Sequence, residues 1–167
     1  MTLAAFNQLP EQERKENLAK CCGATAWVEK MMRRFPFADK ATLLKEAEKL
    51  WWQCTAADWL EAFLHHPRIG SREMMAQKFS STAQWAADEQ KGTSQAAAAT
   101  IDALLLGNKA YEEKFGFIFI VCATGKSATE MLSVLEARLP NEKENETRIA
   151  AAEQSKITAL RLEKLLA

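Results

Sequence analysis

Apolar residues recur along this chain at helical spacing far more often than in alternation. The clearest run is Leu43, Ala47, Leu50, Trp51 and Cys54, which follow at i, i+4, i+7, i+8 and i+11 and share one helical face. "TAAD" at 55–58 reads as a capping signal for the next helix, which carries Trp59, Phe63 and Leu64 and stops at Pro67. Upstream, Pro10 followed by acidic residues opens a helix towards Gly23, and a second covers 24–34 before Pro36. Residues 71–79 form a short helix. Ser81 or Thr82 caps a helix that Gly92 ends, and Thr93 or Ser94 caps a longer one over 95–115. That longer helix shows Ile101, Leu104, Leu105, Asn108, Tyr111 and Phe115 on one face, with Gly116 as its C-cap. "SATE" at 127–130 is a capping box for a helix bearing Met131, Leu132, Leu135 and Leu139, which Pro140 stops. The last helix spans 142–165 with Ile149, Ala152, Ile157, Leu160 and Leu165 as its apolar positions.

Phe117 to Ala123 breaks the pattern with the aromatic and β-branched bias of a buried strand. No second segment of comparable strength exists to pair with it, and a lone strand cannot satisfy its backbone hydrogen bonds. It is therefore assigned to a buried helix or to an irregular turn and helix. The expected architecture is all-α, with about eight helices in a single compact domain over 1–167.

Composition narrows the classes. The 167 residues suit one buried core, and six glycines and four prolines are few for a loop-rich fold. Lysine plus arginine equals aspartate plus glutamate at 22 each, which gives no electrostatic case for nucleic acid or an anionic membrane. No apolar run approaches the roughly 20 residues that span a bilayer. "MTLAAFNQLPEQERK" lacks the basic and apolar regions of a signal peptide, so a cytoplasmic location is expected. Cys21, Cys22, Cys54 and Cys122 form no C-x-x-C and read as small buried thiols.

Several motifs are set aside. "TGKS" at 124–127 lacks the glycine that a phosphate loop needs, since Ile120 stands there. His65 and His66 are adjacent, so on a helix they point about 100° apart and seldom share a metal ion. "NET" at 145–147 matches a glycosylation acceptor that a cytoplasmic chain never presents. The five tryptophans read as core, and "NEKENETR" reads as a solvated face near a helix N-terminus.

Three residues remain that can do chemistry. His66 titrates near neutrality and is stiffened by Pro67. Glu89 lies near the C-terminal end of an alanine-rich helix, where the helix dipole disfavours a carboxylate. Arg161, between Leu160 and Leu162, could bind an anion. Each also has a bland reading, as a helix terminus or a surface charge, and periodicity alone does not choose.

Taken in order, "HPRIG" (66–70), "EQ" (89–90), "LGNKAYEEKFGFIFIVCATGKS" (106–127) and "KITALRL" (156–162) resemble the OHCU decarboxylase family, OHCU being 2-oxo-4-hydroxy-4-carboxy-5-ureidoimidazoline. The resemblance spans residues 6 to 166. It implies an all-α, cofactor-free homodimer, with no metal, that converts OHCU to (S)-allantoin in urate degradation. It implies His66 as catalytic histidine, Pro67 as a substrate contact, and Glu89 as second catalytic residue within a binding segment of Ala86, Ala87, Asp88, Glu89 and Gln90. Phe119, Ile120, Val121, Cys122 and Ala123 match the segment whose backbone lines the pocket, and Arg161 matches the arginine that holds substrate. The chain departs from the family pattern at Ala86, where serine is frequent, and at Thr124, where many relatives have arginine. These departures touch substrate contacts and leave His66, Glu89 and Arg161 intact. The competing expectations are a non-catalytic helical interaction module, with His66 incidental, and a hydrolase of a related ureido compound.

Overall fold

The computed structural model describes residues 1–79 and 91–167. Among the described residues there are nine α-helices and no strand. They are α1 (Leu3–Gln8), α2 (Glu11–Cys21), α3 (Thr25–Met32), α4 (Lys40–Trp52), α5 (Ala56–Leu64), α6 (Arg72–Phe79), α7 (Lys91–Phe115), α8 (Ala128–Arg138) and α9 (Lys143–Leu165). The all-α expectation holds. The helix capped by Ser81 or Thr82 lies outside the described residues. Gly92 does not end a helix, because α7 runs unbroken from Lys91 and needs no cap at Thr93 or Ser94.

The chain clusters into two compact units. The first comprises Met1–His66, Ile120–Cys122 and Thr147–Ala167, and the second Pro67–Phe119 and Ala123–Glu146. In the first unit, the α4 face read from the sequence is buried throughout: Leu43, Ala47, Leu50, Trp51 and Cys54. Indole N–H groups tie its helices together by donating to main-chain carbonyls. Trp27 Nε1 reaches Ala47 O at 2.9 Å, and Trp51 Nε1 reaches Ala151 O on α9 at 2.8 Å. A buried indole thus stays hydrogen-bonded while its ring fills the core. The Thr55–Asp58 capping box forms as expected and starts α5. Helix α1 was not anticipated. Its six residues are too few to show a period, and it is held by the Thr2 cap and by Phe6, whose fully buried ring meets Phe35 edge-on.

In the second unit, α7 and α8 approach closely because Gly107 has no side chain: a Cβ there would come within 2.5 Å of Leu135 Cδ2. Tyr111 and Phe115 pack with Phe117 and Phe119. At the centre lies a buried charge cluster. Arg138 Nε and the Tyr111 hydroxyl both donate to Glu146 Oε1 at 2.6 Å, and Asn141 Nδ2 donates to Oε2 at 2.9 Å. Burial pushes the Tyr111 phenol above its ordinary range, and the Glu146 carboxylate adds to the rise. "NEKENETR" is therefore not wholly a solvated face. Glu146 is fully buried, because three donors replace the water it loses.

Phe117 to Ala123 is neither buried helix nor strand. It runs irregularly from Gly116, whose positive φ ends α7, to a turn at Thr124–Gly125 before Ser127 caps α8. The irregular-turn alternative holds and the buried-helix alternative does not.

Candidate active site

His66 follows α5 directly. Its amide donates to Phe63 O at 3.2 Å, and His65 before it caps the helix. Gly23 makes room for this turn: a Cβ there would sit 2.3 Å from His65 Cγ. The His66 ring is half-buried, and its Nε2 is hydrogen-bonded to Gln154 Oε1 on α9.

Helix α9 supplies the other partners from one stripe. Gln154, 1% exposed, donates from Nε2 to Thr158 Oγ1 at 3.1 Å. Glu153 Oε1 accepts the Cys122 amide at 3.4 Å, and its Oε2 pairs with Lys156 at 2.6 Å. A side chain from α9 thus holds the irregular Ile120–Cys122 segment. One turn beyond Thr158, Arg161 is half-buried, and its Nη1 donates to Cys21 O at 3.3 Å at the C-terminus of α2. A cation there meets the negative end of a helix dipole. Among the described residues, no carboxylate forms an ion pair with Arg161. Gln154 and Arg161 are seven residues apart, which is two turns, or about 10 Å of rise.

The first unit therefore carries His66, Ile120, Val121, Cys122 and Arg161, with the first, the Cys122 amide and the last each bonded to α9 or borne on it. Pro67, Phe119 and Ala123 fall in the second unit. Pro67 is exposed; the Phe119 ring lies 4.7 Å from the Arg138 guanidinium; Ala123 O accepts the Lys126 amide at 3.0 Å. Glu89 and the rest of the expected binding segment (Ala86, Ala87, Asp88 and Gln90) lie outside the described residues.

Sequence reasoning missed Gln154, Thr158 and Glu153. The apolar α9 positions it chose, Ile149, Ala152, Ile157, Leu160 and Leu165, are only half-buried. The buried stripe instead holds Glu146, Ala150, Ala151, Glu153, Gln154, Thr158 and Leu162. The signal was available as polar residues recurring at helical spacing beside alanines.

Among the described residues, no three His, Cys, Asp or Glu side chains gather as metal ligands. A cleft of about 440 Å³ between α4 and α9 is lined by Trp51, Trp52, Glu48, Lys156 and Thr158 among others, with no histidine or arginine, and it shares Thr158 with the network behind His66.

Such a fold and site define an all-helical protein whose one long C-terminal helix organises a candidate acid–base histidine and an arginine. Residues 7–163 match the family model described as OHCU decarboxylase, and the chain belongs to that family. The uric acid degradation bifunctional protein TTL of Arabidopsis thaliana is 35% identical over 146 residues, which are 87% of this chain and 45% of that protein. The uric acid degradation bifunctional protein PucL of Bacillus subtilis is 25% identical over 99% of this chain and 33% of its own length. The chain thus spans less than half the length of these relatives. A crystal structure of OHCU decarboxylase in the presence of (S)-allantoin superposes with a TM-score of 0.73 at 35% identity, covering 91% of this chain and 97% of that one.

Proposed function

We propose that this chain decarboxylates OHCU to (S)-allantoin in urate degradation, with no cofactor. The observation that carries the reading is the attachment of His66 to α9, the helix that also bears Arg161, in a chain matched by the family model over residues 7–163. The crystal structure similar to it was determined with (S)-allantoin present, which is the product of the proposed step.

The substrate supplies its own electron sink. Cleavage of the bond to the carboxylate releases carbon dioxide, and the electron pair moves into the adjacent ring imine. The ring nitrogen that receives the pair takes up a proton, the hydroxyl proton leaves as the ring carbonyl forms, and one face of the ureido-bearing carbon takes up another. His66 acts as the general acid/base near the 4-hydroxyl or ring nitrogen. Glu89 hydrogen-bonds the substrate and assists proton delivery. Arg161 holds a carboxylate or ureido oxygen with the planar fork that its bond to Cys21 O leaves available. Pro67 and the segments Ala86–Gln90 and Phe119–Ala123 line the substrate, and the apolar side chains of the latter keep water out.

We take residues 1–167 as one functional domain, supported by a single family model that runs through both units. We take the protein as a homodimer, supported by half-buried Ile149, Ile157 and Leu160 on α9. We place it in the cytoplasm, supported by four buried cysteines that form no disulfide.

The test is to generate OHCU freshly from urate with the preceding enzymes, add the protein and follow circular dichroism. Rapid build-up of one allantoin enantiomer is expected, and His66→Ala should lose at least about 100-fold in turnover. Racemic allantoin at the spontaneous rate would exclude the decarboxylase and leave the interaction module. A ring-opened product would identify the hydrolase.

A further inference from the structure

We propose that Gln154, backed by Thr158, is a positioning residue that locks His66 in one tautomer, with the proton on Nε2 and Nδ1 as the basic nitrogen. The inference rests on the reading of His66 as the acid/base of the reaction and names the group that sets its working form.

Gln154 lies midway along α9 at 1% exposure, where an amide is tolerated only if both of its ends are hydrogen-bonded. Both are. One end meets His66 Nε2 and the other meets Thr158 Oγ1. The two ends of an amide have nearly the same shape, so the surrounding network decides which faces which. The Thr158 hydroxyl can accept as well as donate, and its Oγ1 accepts from the Gln154 NH2, so the amide NH2 faces Thr158 and the carbonyl oxygen faces His66. A carbonyl oxygen only accepts, so His66 Nε2 must carry the hydrogen.

The identity of residue 154 also matters. A carboxylate against Nε2 would hold the proton on and favour imidazolium. The amide fixes the same ring direction without a charge, so His66 can pass between its neutral and charged forms. A histidine's partner is commonly what sets its tautomer.

The chain has two histidines, so the prediction can be read without substrate. The full chain is labelled with 15N-histidine, and long-range proton–nitrogen spectra are recorded across pH, with His65→Gln assigning the pair. The wild type should show neutral His66 as the Nε2–H form. Gln154→Leu should mix the tautomers and lower kcat about tenfold to a hundredfold with KM nearly constant. Gln154→Glu should move the His66 titration, and with it the acid limb of kcat, upward by about one pH unit or more. Thr158→Val keeps the side-chain shape and should loosen the tautomer in the same direction. An Nδ1–H form in the wild type would overturn the proposal. So would a tautomer and titration unchanged in both Gln154 variants. An inactive protein whose His66 still follows these shifts would sink the decarboxylase reading and leave the positioning intact.

Discussion

Arg161 keeps its charge at the end of α2 without spending it on a carboxylate among the described residues. Among the described residues its hydrogen bonds run from Nη1, to the Cys21 and Lys20 carbonyls at 3.3 and 3.5 Å. A guanidinium has five N–H donors in a rigid fork, so an arginine held by one of them can still grip a planar anion with others. Lysine would retain the charge but not the fork. Arg161→Lys should therefore raise KM for OHCU about tenfold, the worth of one bidentate contact near 1.4 kcal/mol, with a smaller change in kcat. Steady-state kinetics beside the wild type decides it, and equal KM values would exclude bidentate binding. Arg161 could be suspected from the sequence because it interrupts an apolar run. Gln154 was harder to single out: "AAEQSK" sets polar residues beside alanines, but nothing in it ties the glutamine to His66 until the two are found together.

Helices were legible wherever local chemistry and burial agreed. Helix α4 shows its core face in the sequence, and α5 shows its capping box. Helix α9 shows its length but hides its orientation. A reading by hydrophobicity ranks Ile149, Ile157 and Leu160 above Glu153 and Gln154, yet burial follows partners as much as polarity. Glu153 is 9% exposed because the Cys122 amide and Lys156 satisfy its two oxygens. The irregular Phe117–Ala123 segment was hard to assign for the same reason, since part of what holds it is a side chain thirty-one residues away. The pairing gives a test at this scale. Glu153→Ala removes the acceptor for the segment and should cost about 1–3 kcal/mol of stability along with activity. Glu153→Gln keeps an acceptor and gives up only the pairing with exposed Lys156, so it should stay within about 1 kcal/mol of wild type and restore turnover. Urea melts and OHCU assays on both variants read the difference. Equal losses would mean that the charge, and not the hydrogen bond to Cys122, is what matters.

Across the whole molecule, buried acids that stay protonated connect folding to pH. Burial pushes Cys21 up to about 11, against the opposing charge of Arg161, and pushes Cys54 up to about 11 and Cys22 to about 12. All three thiols are under 9% exposed, as is Tyr111, whose phenol is raised by burial and by Glu146. Each folded-state value exceeds the unfolded one. The native state therefore holds protons that the unfolded chain has released once pH passes about 8.5 for a thiol. Stability is fully present below that pH and falls as pH climbs towards the folded values, by up to about 1.4 kcal/mol per pH unit for each thiol. Urea melts between pH 7 and 10.5 should be level to about pH 8 and then fall progressively more steeply. Cys22→Ala should lower stability at pH 7 by leaving a small void, yet flatten the alkaline fall by one proton's worth. Its curve should converge on the wild type's as pH rises. Parallel curves would mean that the Cys22 thiol ionises alike in both states, and burial would not be controlling its proton.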